Sequence, residues 1–187
     1  MVKKSTVMYL TLFLGSWVAV VQAQTPKYPP IEQYLMPQAD EIALAKTAAP
    51  ASVSGRATIK VLTRSGYEVA QQGENGSVCM VIRGFTAPTY SPVQFRDLVY
   101  DPTVWAPICF TPPAVRTVMP YYELRTKLAL QGKSPDEIAA GVEAAYAKGE
   151  LPKRDAVTFA YMWSAQTESR FWDRTLASAR DDICALL

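Results

Sequence analysis

The chain has 187 residues, 49% of them hydrophobic and 19% charged, and a formal charge of +2. That length supports one domain with a real core. The charge falls to zero once Lys3 and Lys4 leave with an N-terminal leader, so nothing electrostatic favours nucleic acid or anionic lipid. There is no histidine, which excludes Ser-His-Asp and Cys-His catalysis and the commonest zinc ligand.

Residues 1–23 read as a signal peptide. Lys3 and Lys4 form the basic start, Val7 to Val20 the short apolar stretch, and Val21-Gln22-Ala23 the small-x-small site, with cleavage after Ala23. An uncleaved anchor is the alternative. No later stretch is long and apolar enough to span a bilayer, so no stable membrane insertion is expected after cleavage. The expected location is periplasmic or secreted.

Residues 24–37, "QTPKYPPIEQYLMP", are proline-rich and expected to form an extended tether. The domain is expected over 38–164. "QADEIALAKTA" predicts a helix over 38–48, with Asp40 and Glu41 near its positive end, Lys46 near its negative end, and Pro50 as its stop. "ATIKVLT", "YEVAQ" and "SVCMVIR" then predict three strands. They are joined by the turns "RSG" and "GENG", the latter with the hairpin signal Asn75-Gly76. Short connections predict an antiparallel meander with these three as neighbours.

Gly84 to Pro107 shows little periodicity and several prolines, and reads as a long loop anchored by Phe95, Tyr100 and Trp105. Thr111-Pro112 opens a helix, and Pro120 predicts a break near Val118. Ser134, Pro135 and Glu137 form a capping box ahead of a helix whose stripe is Ile138, Val142 and Tyr146. Gly149 and Pro152 end it, and "AVTFAYMWS" predicts a strand over 156–164. The expected fold is α+β, a single domain with an antiparallel sheet of about four strands against three to four helices.

Cys79 and Cys109 are natural disulfide partners in an exported chain, with two buried thiols as the alternative. Cys184 is left over. Arg83, Arg116 and Arg125 are candidate contacts for an anionic ligand, and Tyr161 with Trp163 for a binding platform; a solvated face and a core face are the plainer readings. Asp136 and Glu137 are explained by helix capping. The sequence carries no metal-ligand cluster, phosphate loop or nucleophile elbow, so no metal or cofactor is expected.

Five stretches, "AAPASVS", "VLTRSGYEVAQQGENGSVCMV", "PICFTPPAVRTVMPYY", "LALQGKSPDEIAAGVEAAYAKGELP" and "TFAYMWS", resemble a group of uncharacterised secreted bacterial proteins. The resemblance runs from about Gln38 to Ser164, roughly two thirds of the chain. The group's usual continuation is a glycine-rich turn, a "WHPH"-like motif and a last apolar strand, and this chain departs from it after Ser164. The residues from Phe171 to Leu187 admit codons that, read one nucleotide later, spell "SGIGRWHPHVMIYAPY". The hypothesis is that residues 165–187 are a frameshift product. A downstream frame without a histidine-containing, strand-like continuation sinks it. The rival is an amphipathic helix with Trp172, Leu176, Ala179, Ile183 and Leu187 on one face.

Two functions follow as expectations. The first is a non-catalytic secreted or periplasmic binding or structural module, with its partner unspecified. The alternative is a degenerate member of a metal- or histidine-dependent secreted enzyme family, inactive here for lack of histidine.

Overall fold

The computed structural model describes residues 27–87, 93–153 and 158–162. The leader, the tail with Cys184, and Trp163 lie outside the described residues. The fold is α+β, a single domain built on a five-stranded mixed sheet. The strands are β1 (Thr58–Thr63), β2 (Gly66–Gln71), β3 (Val78–Arg83), β4 (Trp105–Phe110) and β5 (Ala160–Tyr161). The helices are α1 (Gln38–Lys46), α2 (Ala51–Ser54), α3 (Val93–Arg96), α4 (Pro112–Thr117), α5 (Met119–Leu130) and α6 (Pro135–Ala147).

β3 is buried at every position because both faces of the sheet are covered. Side chains alternate along a strand, so Val78, Met80 and Ile82 face one layer and Cys79, Val81 and Arg83 the other. The first set packs with Ile108 and Phe110 of β4 against Ala114, Met119, Ala129 and Ile138 of α4, α5 and α6. The second packs with Ile59 and Cys109 against Ala45 of α1 and Ala48, Ala49 and Val53 beyond it. The disulfide between Cys79 and Cys109 joins residues directly opposite one another on β3 and β4 and lies in this second layer.

The strand order, β2-β1-β3-β4-β5, corrects the expected meander. β3 is not beside β2; it lies on the far side of β1 and runs parallel to it, so the sheet is mixed rather than antiparallel. The cause is partly compositional. β2 carries exposed Glu68 and Val69 and suits an edge, whereas β3 is apolar enough to need two neighbours. The connection is also specific. Residues 72–77 pass under the start of β1, with Gly73 N donating to Thr58 Oγ1 at 3.0 Å and Glu74 N to Arg56 O at 2.9 Å. Asn75 does turn the chain, donating from Nδ2 to Val53 O and accepting from Ser77 N, but the turn serves a crossover rather than a hairpin.

A second correction is β4, which begins inside the stretch read as loop. Pro107 sits within it opposite Val81. Proline lacks an N–H and belongs where a strand has no neighbour to receive one. The described pairing of β4 with β5 covers Cys109 and Phe110.

The expected helix break falls at Val118, between α4 and α5. The capping box forms, with Ser134 Oγ accepting from Glu137 N and Glu137 Oε2 accepting from Ser134 N. Thr111 differs: its hydroxyl donates to Phe159 O at 2.7 Å and so ties the residue before β5 to the start of α4 instead of capping the helix. In the proline-rich segment, Tyr28 and Tyr34 are docked on the domain while Lys27 and Pro30 are exposed. Tyr34 is 3% exposed within the main core, and Tyr28 stacks on Tyr100 at 3.5 Å.

Candidate functional site

β1 and β3 are in register over two residue pairs only, Thr58 with Val78 and Ile59 with Cys79. Farther along, side chains meet main-chain groups of these two strands. Leu62 N donates to Glu41 Oε1 at 3.1 Å. Val81 O accepts from Tyr67 Oη at 2.8 Å and from Arg83 Nη1. Arg83 Nε donates to Tyr34 O at 2.9 Å. Arg83 Nη2 lies 3.0 Å from Glu41 Oε1, and both side chains have 0% exposure. That approach is close without being aligned as a hydrogen bond, and Glu41 Oε2 has no hydrogen-bond partner.

An isolated buried charge costs far more than a paired one, so each ion of this couple requires the other. Burial pushes the Glu41 carboxyl above its usual range, against the opposing pull of Arg83 and the Leu62 N–H. Burial likewise raises the Tyr67 hydroxyl far above its ordinary value. A tyrosine so raised remains a hydrogen-bond donor at physiological pH. The cluster is a polar plug that satisfies strand groups by side chain instead of by ladder.

A second buried cation holds the turn Gly84–Thr86. Arg125, 1% exposed, donates from Nε to Phe85 O at 3.1 Å, from Nη2 to Ala87 O and from Nη1 to Tyr121 Oη. Its guanidinium also lies 5.2 Å from the centre of the Tyr121 ring. Tyr100 meets Phe85 of this turn edge-on at 6.3 Å, donating to Lys133 O while its own carbonyl accepts from Tyr34 Oη at 2.6 Å.

The residues read from sequence as ligand contacts are therefore dispersed. Arg83 and Arg125 are interior, and their nitrogens are committed to carbonyls, to Glu41 and to Tyr121. Arg116 is exposed on α4. Tyr161 is half-buried on β5, opposite Cys109 and edge-on to Phe159. Trp163 lies outside the described residues.

Sequence reasoning missed Glu41 and Tyr67 as members of the site. For Glu41 a signal existed. Glu41, Ala45 and Ala48 recur at spacings of four and three, which puts the carboxylate on the helix face that the buried alanines occupy. Tyr67 had no such signal, because its role depends on where β3 lies. Among the described residues no group of three or more Cys, Asp or Glu is placed to hold a metal ion. Comparison with protein-family models, with curated proteins and with solved structures finds no match to this chain.

Proposed function

We propose that this protein is a non-catalytic binding or structural module of an exported compartment, periplasmic or secreted. The observation that carries the reading is the placement of its interior charges. Glu41, Arg83 and Arg125 are bound to one another, to Tyr121 or to main-chain groups, as fastening requires and as turnover does not. The Cys79–Cys109 bridge supports the compartment, since disulfides persist where the environment is oxidising. The faces left to a partner include Arg116 on α4 and the Phe159–Tyr161 pair beside β5.

Two measurements test this. Intact mass of the exported protein should show loss of residues 1–23 and one intact bridge; a retained leader would contradict export by this route. A panel of ester, glycoside, phosphoester and peptide substrates should show no turnover. Turnover that Glu41→Gln abolishes while the circular dichroism spectrum is unchanged would overturn the non-catalytic reading.

A further inference from the structure

The disulfide and the ion pair share one layer, and the same helix covers both. Cys79 and Cys109 are fully buried against Ala45, Ala48 and Ala49, and α1 also supplies Glu41. Apart from Glu41, the side chains it lays on this layer are apolar. It has nine residues and no side-chain bond at its N-cap, Pro37. Helices this short are marginal alone. The buried side chains that it and the following turn lay on the bridge are alanines, which bury little apolar surface, and Ile42 and Leu44 are only partly buried. The specific fastening is the bond from Leu62 N to Glu41 and the pairing of Glu41 with Arg83.

We propose that α1 is a latched lid over the Cys79–Cys109 bridge, and that release of the Glu41 latch gates reduction of that bridge. Opening of α1 is a sub-global event, distinct from unfolding of the sheet. Once it is open, a dithiol reductant attacks one sulfur as its thiolate and forms a mixed disulfide. Its second thiol then closes a ring and releases the protein. The reductant loses two electrons, and Cys79 and Cys109 end as two thiols. The β3–β4 seam would thereby lose its covalent tie only when the latch is undone.

The test is the rate of reduction of the oxidised full chain by dithiothreitol in native buffer. Alkylation and peptide mass are used to follow Cys79 and Cys109 separately from Cys184. Glu41→Ala should accelerate reduction by roughly tenfold or more, with the Leu62 amide exchanging faster than the amides of Met80 and Ile108 in the β3–β4 ladder, because α1 opens without the sheet. Glu41→Gln, which keeps the shape and an acceptor for Leu62 N, should fold and accelerate reduction less. Ser134→Ala is the control, because it lowers global stability at α6, away from the latch. If reduction required global unfolding, that loss of about 1 kcal/mol would raise the rate about fivefold. The lid predicts no change in Ser134→Ala. Acceleration in Ser134→Ala, or a wild-type rate in both Glu41 variants, overturns the proposal.

Discussion

Gly73→Ala is the sharpest test of the crossover that places β3 beside β1. A Cβ at Gly73 would lie 2.2 Å from Ala57 C, 2.3 Å from Thr58 N and 2.4 Å from Arg56 O. All three are backbone atoms, and an ordinary contact needs more than about 3.4 Å, so the two segments must part by about 1 Å. That displacement strains the bonds from Gly73 N to Thr58 Oγ1 and from Glu74 N to Arg56 O, and with them the start of the parallel ladder. Overpacking at about 1–3 kcal/mol plus two hydrogen bonds at about 1 kcal/mol each gives a loss of about 3–5 kcal/mol. Urea unfolding followed by tryptophan fluorescence measures it. Gly66→Ala is the comparison: its φ is +126° but nothing lies within 4 Å, so it carries only local backbone strain and should cost less. If Gly73→Ala lies within about 1 kcal/mol of wild type, or no lower than Gly66→Ala, the close crossing is refuted.

Other substitutions probe the remaining ties. Arg125→Met leaves Phe85 O and Ala87 O without their donor and should lower stability by about 3 kcal/mol in urea; Arg125→Lys should restore little, because an ammonium cannot supply the same fork. Replacing Cys79 and Cys109 together by alanine opens a loop with a sequence separation of 30 and should cost about 3–4 kcal/mol by chain entropy, read as a lower urea midpoint. Glu137, held at about 2 by the Ser134 N–H first and Lys133 next, contributes stability above its ordinary 4.5 that disappears as pH falls from 4.5 towards 2. Stability titrated across that window should lose part of its acid slope in Glu137→Gln, and an unchanged slope would show that the capping box contributes nothing there.

Much was legible locally. The capping box at Ser134 and Glu137 and the break at Val118 depend on residues within one or two turns, so sequence spacing carries them. The pairing of Cys79 with Cys109 was legible for a different reason, since few partners existed and an oxidising compartment permits the bond. β4 was hidden because Pro107 reads as a breaker, and whether a proline can join a ladder depends on what lies beside it.

What the sequence by itself determined is the class of the fold, the placement of α1, α4, α5 and α6 and the partners of its bridge, whereas α2 and α3 were not foreseen. Those follow from backbone propensity, capping and the scarcity of alternatives. Only the tertiary structure decided the order of the strands and the use of the charges. An Asn-Gly turn signals a hairpin but also fits a crossover, and the close passage at Gly73 selects the crossover. An arginine looks the same in sequence whether it meets solvent or a carbonyl. Arg83 became interior because β3 lies at the centre of a sheet covered on both faces, and Glu41 followed it inside because one buried charge requires another.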